Sequence, residues 1–340
     1  MPRRGGWRRV GSKRCFRYLD ARGYEITDEE RLARIESLVI PPAWRDVWIS
    51  PSPRAKLQAV GVDAAGRRQY LYHPDFRAAQ EQAKFDRLVL FGERLPSLRS
   101  SMVEHMALDS LERERVCALA LRVINLAWFR VGSERYARST RTYGVTTLAK
   151  RHVRIGRTRI SFRFRTKHRA LVRTTLVDAE LATAFRELLD LPGGSRVFRY
   201  RSNGELVNLT ATTLNDYVGE HLGEEFTAKD FRTWGGTLTA AVALAEHGPV
   251  STPTEAKHVL ASAMRLVGER LANTPAVARS SYVSPAVVEQ YLEGRTLDHF
   301  RPRALRVVGA RDPGLDIEEA ALLSLLRSWR IRRARTVEAA

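Results

Sequence analysis

Short alternating runs of apolar and polar residues occupy about the first 85 positions of the chain. This alternation predicts half-buried strands over 47–49, 57–60 and 69–72. The segment 63–67 combines Asp, Ala and Gly and predicts a hairpin turn between the last two strands. Apolar residues at helical spacing over 28–38 predict one short helix. We therefore expect a small β-rich unit with aromatic and arginine side chains on its strands.

A helical period replaces this alternation from residue 74 onward. The segment 74–106 is helical and charged, and Leu95-Pro96 predicts a break in it because proline lacks a backbone N–H. Further helices are expected over 112–128, 178–189, 210–222, 227–248, 255–271 and 317–332, with 170–223 mainly helical. The change of period puts a domain boundary near residue 90. The predicted fold class is α+β, with a β-rich domain over 1–90 and a larger, mainly α-helical domain over 91–340.

One segment of the helical region is unusual in its charge. Residues 135–177 contain thirteen Arg or Lys and neither Asp nor Glu. Apolar residues alternate with cations on both sides of the turn-prone Gly156-Arg157, which predicts a β-hairpin. One face of this hairpin is apolar, whereas the other carries Arg163 and Arg165 and ends at Lys167. A run of one charge sign on an ordered element favours contact with a polyanion, so we expect Arg163 and Arg165 to contact a phosphate backbone.

The stretch 271–285 follows the helix predicted over 255–271. Its small residues predict a loop that contains Tyr282. Ser284 and Pro285 come next, and they are typical of a helix N-cap and a first helical residue. The N-terminus of a helix attracts anions such as phosphate, so the sequence puts a phenol close to a possible anion site.

Composition narrows the class of partner. The 340 residues include 57 Lys or Arg and 38 Asp or Glu, a net charge of +19, which favours nucleic acid as the partner. Two cysteines provide neither a disulfide framework nor a zinc site, and no apolar run approaches the ~20 residues of a membrane span. The sequence lacks a Gly-x-x-x-x-Gly-Lys-Ser/Thr phosphate loop. We expect a cytoplasmic, nucleoid-associated protein without a metal, nucleotide or other cofactor.

Several motifs, taken in their order, resemble the type IB DNA topoisomerases, and most closely the small poxvirus-like enzymes of bacteria. The likeness covers nearly the whole chain. It rests on Ile40-Pro41-Pro42-Ala43-Trp44, the stretch 66–74, Phe129-Arg130-Val131-Gly132, the cationic hairpin, Lys229-Asp230-Phe231-Arg232-Thr233-Trp234 and the stretch 273–285. The resemblance implies the catalytic fold shared with tyrosine recombinases. It also implies a monomer whose two domains close as a C-shaped clamp on double-stranded DNA.

The resemblance also implies roles for individual residues. Tyr282 is similar to the nucleophile that takes up a 3′-phosphate, and Arg130 and Arg232 are similar to the arginines on the non-bridging oxygens. Lys167 is similar to the hairpin lysine that protonates the departing 5′ oxygen. Asn273 stands where many relatives have His, and an amide can donate a hydrogen bond there but cannot carry charge. Further DNA contacts are expected from Lys229, Tyr136, Arg163, Arg165, Arg67 and Tyr70.

The chemistry is reasonable on its own terms. A tyrosine hydroxyl has a pKa near ~10 and becomes a useful nucleophile only where its surroundings stabilise charge. Preorganised arginines can stabilise the charge that builds on the phosphoryl oxygens. Lys167 lies among other cations, which favour release of its proton to an alkoxide leaving group. A phosphotyrosyl ester conserves the energy of the broken bond, so resealing needs no ATP.

Two other functions stay open from the sequence. A tyrosine site-specific recombinase shares the fold and the chemistry, although recombinases usually carry His where this chain has Lys229. The second alternative is a non-catalytic clamp on duplex DNA that has kept the fold. Both alternatives also predict salt-sensitive binding to DNA.

Overall fold

The computed structural model describes residues 5–12, 15–301 and 314–338. They pack as two compact units, Met1–Lys84 and Phe85–Ala340. The architecture is mixed, with an N-terminal β-sheet in the first unit and a larger, mainly helical second unit. The sheet and the helical unit predicted from the sequence are therefore present.

The first unit is a five-stranded antiparallel sheet covered by one helix. Its elements are β1 (Trp7–Ser12), β2 (Cys15–Leu19), α1 (Glu29–Ser37), β3 (Arg45–Ile49), β4 (Leu57–Val62) and β5 (Arg68–Tyr72), and the strand order is β2-β1-β3-β4-β5. The three strands predicted from alternation are confirmed as β3, β4 and β5. Trp7, Ile35 and Ile49 belong to a small core between the sheet and α1. Asp28 caps α1 by accepting a hydrogen bond from the Arg31 N–H.

Helix α2 (Pro74–Met106) runs through Pro96 without the predicted break. The prediction was wrong because packing outweighs the cost of the proline. Phe91, Leu95, Leu98 and Met102 recur at helical spacing and are almost fully buried. Burial of side chains of this size contributes roughly 1.5–3 kcal/mol each, against about 3 kcal/mol for a proline inside a helix. The boundary between the two compact units, and the domain boundary predicted near residue 90, both fall within this helix.

Helix α3 (Arg113–Ala127) forms the centre of the second unit and leads to a short helix, α4 (Glu134–Ser139). Every residue of α3 from Val116 to Leu121 is completely buried, so the helix is covered on all sides. It ends at Trp128, which adopts the left-handed conformation with φ at 51° and donates its N–H to the Ile124 carbonyl. The chain then turns sharply into Phe129 and Arg130.

The cationic segment forms three strands rather than a two-stranded hairpin: β6 (Val153–Ile155), β7 (Arg159–Arg165) and β8 (Leu171–Val177), all antiparallel in the order β6-β7-β8. Ile160, Phe162 and Phe164 face the core as predicted, and Arg159, Arg163 and Arg165 on the other face of β7 are exposed. The sequence predicted 170–223 as mainly helical, which is wrong over β8. Alternate residues of β8 pack against β7 on the core side, and a short period of this kind is easily lost beside long helices.

A second sheet was also missed in this region. Helix α5 (Ala179–Asp190) is followed by β9 (Arg199–Ser202) and β10 (Glu205–Asn208), and then by helix α6 (Ala211–Leu222). Asn203 and Gly204 connect the two strands with φ values of 50° and 82°. Asn-Gly with two positive φ angles is typical of a type I′ hairpin, and the sequence carries that signal. The two helices agree with their predictions, and Asp178 and Thr210 cap them.

The remaining elements are α7 (Ala228–His247), α8 (Pro253–Leu271), α9 (Pro275–Tyr282), α10 (Pro285–Leu292) and α11 (Ile317–Glu338). Asp230 accepts a hydrogen bond from Thr227 N at 2.8 Å, as the predicted capping box requires, and a second one from Thr227 Oγ1 at 3.0 Å. Helix α7 contacts α3, α8, α9, α10 and α11. A side chain on α7 therefore has neighbours from most of the helical unit.

Candidate active site

Tyr282 is the last residue of helix α9 and does not lie in a loop as the sequence predicted. Thr274 caps this helix by accepting a hydrogen bond from the Val277 N–H at 3.3 Å, and Pro275 is its first residue. The prediction was wrong because the same Thr/Ser-Pro signal occurs twice, and only the second was recognised. The predicted start of the next helix is confirmed, with Ser284 as its N-cap. Tyr282 is buried, with 7% of its surface exposed.

Arg232 brings a buried guanidinium to this tyrosine. It lies on α7, is only 4% exposed, and donates hydrogen bonds to the carbonyls of Trp128 and, at 2.8 Å, Leu271. Its Cζ atom lies 5.1 Å from the centroid of the Tyr282 ring. The two carbonyls belong to the ends of α3 and α8, so three helices together fix the position of one charge.

Arg130 reaches the same site from the segment between α3 and α4. Its Nη2 atom donates to the Ala272 carbonyl at 3.0 Å and to Asn273 Oδ1 at 2.6 Å. Asn273 in turn is held by its own N–H, which donates to the Gly268 carbonyl at 2.8 Å as the chain leaves α8. The residues that end α8 therefore orient both arginines.

The charges of the site act directly on the phenol. Burial raises the pKa of Tyr282, but the charges of Arg232 and Arg130 and their hydrogen bonds to the phenol outweigh it and bring the pKa down to about 8. Burial, reinforced by the nearby charge of Arg130, lowers the pKa of Arg232 to about 10. Among the described residues no carboxylate forms an ion pair with either arginine. The site therefore stabilises negative charge on the tyrosine oxygen.

Three N–H donors of this cluster lack an acceptor. Arg130 Nε, Arg232 Nε and Asn273 Nδ2 are buried, and no hydrogen-bond partner for them exists in the part of the chain that the structure describes. A buried donor without a partner costs about 1–3 kcal/mol. A ligand with several acceptor oxygens, such as a phosphodiester, offers what these donors lack.

A cavity of about 470 Å³ opens beside the two arginines. Arg130 and Arg232 line it together with residues from the ends of α3 and α8. Thr166, in the turn between β7 and β8, and Leu171, at the start of β8, also line it. Lys167 lies in that turn, directly after Thr166, and its side chain is exposed. The structure thus brings Arg130, Arg232, Asn273 and Tyr282 into one cluster. Lys167 stands on the turn that borders the cavity.

The residues expected to contact DNA are on the surface. Lys229, Tyr136, Arg163 and Arg165 are exposed on α7, α4 and β7 of the second unit. Arg67 and Tyr70 belong to the first unit. There the guanidinium of Arg67 pairs with Asp63 at 2.7 Å, and Tyr70 is 47% exposed and stacks on Tyr72 with 6.2 Å between the ring centroids.

No role was predicted for Gly235 and Gly236, which the structure puts against the site. A Cβ atom on Gly235 would lie 2.3 Å from the Trp128 ring, and one on Gly236 would lie 2.7 Å from the Tyr282 carbonyl oxygen. Glycine at both places lets α7 approach the ends of α3 and α9 closely. Two adjacent glycines inside a helix are unfavourable by about 1 kcal/mol each relative to alanine, and that was the available signal.

Two further properties of the described ranges, 5–12, 15–301 and 314–338, bear on the kind of site that the protein can form. None of the helices in those ranges combines the length and apolar character that a membrane span requires. His, Cys, Asp and Glu side chains in the same ranges do not gather into a group that could hold a metal ion.

Comparison with known proteins gives matches to both units. Residues 73–296 match a family model described as the catalytic core of eukaryotic DNA topoisomerase I, and residues 15–63 match one described as the N-terminal domain of bacterial DNA topoisomerase IB. A DNA topoisomerase 1B of Acanthamoeba polyphaga mimivirus is 34% identical over 289 residues, which cover 83% of this chain and 85% of that relative. The DNA topoisomerase 1B of vaccinia virus strain Copenhagen is 23% identical over 250 residues, or 72% of this chain and 75% of that relative.

Proposed function

The chain belongs to the type IB DNA topoisomerases, and we propose that Tyr282 is the nucleophile of the reaction it catalyses. The protein is an enzyme that acts on DNA as a type I topoisomerase. The observation that supports the role of Tyr282 is its position beside two buried arginines that lower the pKa of its phenol to about 8. A phenol in this state releases its proton to become a nucleophile far more readily than an exposed tyrosine does.

The proposed reaction has two transesterifications. The Tyr282 oxygen attacks a phosphorus of the DNA backbone, and the bond from that phosphorus to the 5′ oxygen breaks. The phosphate is then bonded to the tyrosine oxygen and still to the 3′ oxygen of the broken strand. The departing 5′ oxygen takes up a proton. After strand rotation has relaxed the supercoils, the 5′ hydroxyl attacks the phosphotyrosine and the phenolate leaves. Because one ester replaces another, neither step consumes ATP.

Arg130 and Arg232 are proposed to bind the two non-bridging oxygens of the phosphate. Their free Nε donors and the Nδ2 donor of Asn273 support this role, since negative charge builds on those oxygens in the transition state. Preorganised cations of this kind perform the electrostatic work without a metal ion or nucleotide. Asn273 adds one hydrogen bond without a charge of its own.

Lys167 is proposed as the acid that protonates the 5′ oxygen. Its place on the turn bordering the cavity supports this role. The test uses DNA in which sulfur replaces the bridging 5′ oxygen. A thiolate leaves without help from an acid because its conjugate thiol has a pKa of only about 8.5. Lys167→Ala is therefore expected to cleave ordinary DNA slowly and the sulfur-containing strand at nearly the parental rate. Equal slowing on both substrates would contradict the role of Lys167 as the acid.

We also propose that the two units act together as a clamp on double-stranded DNA, with the protein a monomer in the cytoplasm, associated with the nucleoid. The net charge of +19 supports a polyanion partner. Lys229, Tyr136, Arg163 and Arg165 are proposed as DNA contacts of the second unit, and Arg67 and Tyr70 as contacts of the first. Phosphate contacts of this kind position the protein without specifying a base sequence.

Relaxation of a supercoiled plasmid in the presence of a chelator and without ATP tests the function. Stopping the reaction with denaturant should trap protein on the 3′ end of the nicked strand, and peptide mapping should find DNA on Tyr282. Tyr282→Phe should bind DNA and form no adduct. The matched control is Tyr291→Phe, which removes another buried hydroxyl that donates to the Gly248 carbonyl at 3.0 Å. This control should keep the adduct.

Each alternative function has its own result in the same assay. Strand exchange between two specific sites without plasmid relaxation would identify a recombinase. DNA binding by the parent protein without any trapped adduct would identify a non-catalytic clamp. An adduct on a residue other than Tyr282 would contradict the assignment of the nucleophile.

A further inference from the structure

Thr237 joins the two chain segments on either side of Val283. Its side chain is completely buried on α7. The Thr237 hydroxyl donates to the Tyr282 carbonyl at 3.1 Å and accepts a hydrogen bond from the Ser284 N–H, also at 3.1 Å. Carbonyls at the end of a helix and N–H groups at the start of a helix lack partners within their own helix. One hydroxyl thus serves the end of α9 and the beginning of α10.

The backbones are in close contact at this point. A Cβ atom on Gly236, the residue before Thr237, would lie 2.7 Å from the Tyr282 carbonyl oxygen and 3.0 Å from the Tyr282 Cβ atom. Because there is no side chain at Gly236, α7 touches the Tyr282 backbone and the Thr237 hydroxyl comes within hydrogen-bond distance. The contact therefore requires glycine at position 236 and a hydroxyl side chain at position 237.

Helix α7 therefore holds Tyr282 at both ends. Arg232 lies over the ring, and Thr237 binds the backbone of the same residue. Since both groups lie on one rigid helix, the distance between them fixes the phenol relative to the guanidinium. We propose that Thr237 is a positioning residue for the reaction, which keeps the Tyr282 oxygen in the field of Arg232 and Arg130. This inference rests on the proposed role of Tyr282 as the nucleophile.

Loss of the Thr237 hydroxyl should affect the rate of strand cleavage as well as the local structure. Displacement of a reacting group by about 1 Å can slow a reaction on the order of 10²-fold. A looser Tyr282 also spends less time beside the arginines whose charges lower the pKa of its phenol. Loss of the Thr237 hydroxyl should therefore slow strand cleavage and move its pH dependence to higher pH, while the affinity for DNA stays the same.

Thr239 supplies a matched control on the same helix. It is 3% exposed, and its hydroxyl donates to the Gly235 carbonyl at 2.8 Å, one turn back within α7. Thr239→Val removes a buried hydroxyl of the same kind from the same helix. It does not touch the link to Tyr282.

The experiment compares Thr237→Val, Thr237→Ser and Thr239→Val with the parent. The readouts are thermal unfolding, affinity for a plasmid, and the rate of adduct formation with enzyme in excess from neutral pH upward. Thr237→Val should slow adduct formation by roughly 10- to 100-fold and move the midpoint of the rising pH limb above the parental one. Thr237→Ser and Thr239→Val should keep the parental rate and midpoint. Thr237→Ala, which adds no atoms, replaces Thr237→Val if the valine variant does not fold.

The outcomes separate this inference from the proposed function. If the parent forms no adduct at Tyr282, the proposed function is wrong and the inference falls with it. If the parent forms the adduct and a folded Thr237→Val or Thr237→Ala protein keeps the parental rate and pH midpoint, only the positioning role is overturned. Equal slowing of Thr237→Val and Thr239→Val, with no change in the pH midpoint, also overturns it because loss of any buried hydroxyl would then suffice.

Discussion

The guanidinium of Arg232 lies over the ring of Tyr282, with 5.1 Å between Cζ and the ring centroid, and Arg232 forms no ion pair with a carboxylate in the described part of the chain. The phenol therefore lies beside a buried positive charge that no carboxylate of the described residues neutralises. This relationship gives the reaction a defined dependence on pH.

The first prediction concerns that dependence. Burial alone would raise the pKa of Tyr282, but Arg232 and Arg130 lower it to about 8, so strand cleavage should accelerate as the pH rises toward 8. Burial lowers the pKa of Arg232 to about 10, so cleavage should slow as that charge is lost above pH 10. The measurement is the rate of adduct formation at saturating enzyme. In Arg232→Gln the rising limb should move toward the ordinary phenol pKa of ~10; an unmoved limb would show that another group titrates.

The second prediction concerns Asn273, whose Oδ1 accepts from Arg130 at 2.6 Å while its Nδ2 has no partner among the described residues. Asn273→Ala loses the proposed donor to the phosphate and the contact that orients Arg130, so cleavage should slow by roughly 10- to 10³-fold, as for other oxyanion donors. Asn273→Asp should be slower still because a carboxylate would pair with Arg130 and repel the phosphate. Single-turnover cleavage with separately measured DNA affinity checks both.

Asn273→His is the informative companion to these variants. A histidine ring restores a donor and, when protonated, adds a charge. Activity near the parental level in Asn273→His would support a donor role at this position. Full activity in Asn273→Ala would contradict the role altogether.

Much of the site follows from local sequence signals. Cap residues and apolar spacing predict the helix that ends at Leu271 and the one that begins at Pro285, and a capping box predicts the start of the helix that bears Arg232. The roles proposed for Arg130, Lys167, Arg232 and Tyr282 came from the family resemblance. What local signals could not provide is the direction of side chains, since Arg130 and Arg232 take their orientation from carbonyls more than 30 positions away in sequence.

Two errors, the loop at Tyr282 and the missed β9–β10 hairpin, concern local signals that the sequence does carry. The others have a different cause, which is that contacts outside the local segment outweigh the local signal. Pro96 predicts a break, but the buried apolar face of α2 carries the helix through it. The sequence of β8 by itself carries only a short alternating pattern, and the strand is stabilised by its pairing with β7. Gly235 and Gly236 weaken a helix locally and are explained only by the Trp128 ring and the Tyr282 backbone that approach them. Each of these depends on contacts that a local window of sequence does not contain.

The third prediction concerns stability. Glu319 on α11 is buried and accepts hydrogen bonds from Arg99 at two positions, each 2.7 Å, and from Trp234 Nε1 at 3.0 Å. Glu319→Gln leaves the guanidinium of Arg99 without its counter-charge, so the free energy of unfolding should fall by about 3–5 kcal/mol. Arg327→Gln is the control, because its ion pair with Glu93 is exposed and contributes no more than about 1 kcal/mol. Urea unfolding of both variants at neutral pH measures the difference.

The stabilisation by Glu319 should depend on pH. Burial raises the pKa of Glu319, but Arg99 and Trp234 outweigh it and hold the pKa below its ordinary value of 4.5. A depressed pKa means that the stabilisation is complete above pH 4.5 and is lost as the pH falls through the lower value. The gap in stability between parent and Glu319→Gln should therefore narrow in acid. A gap that stays constant would show that charge is not what Glu319 contributes.

The fourth prediction concerns the cationic sheet, where Arg163 on β7 lies directly opposite Arg173 on β8. Like charges in opposed positions of a sheet repel each other, and no carboxylate pairs with either arginine in the described ranges. An anion lying across the pair relieves that repulsion. Arg163→Gln should therefore weaken DNA binding and reduce the slope of log affinity against log salt by about 0.9, the value for one phosphate contact.

Arg67 is the comparison for this measurement. Its Nε and Nη2 atoms both lie 2.7 Å from Asp63 Oδ2, so its charge is already compensated by a carboxylate. Arg67→Gln should change the salt slope by clearly less than Arg163→Gln does. Thermal unfolding without DNA tests the repulsion independently. Because Arg163→Gln removes a repulsion between like charges, this variant should be as stable as the parent or slightly more stable. If the salt slope is unchanged in Arg163→Gln and reduced in Arg67→Gln, the prediction is wrong. The phosphate contact would then be made by the first unit and not by the sheet β6-β7-β8.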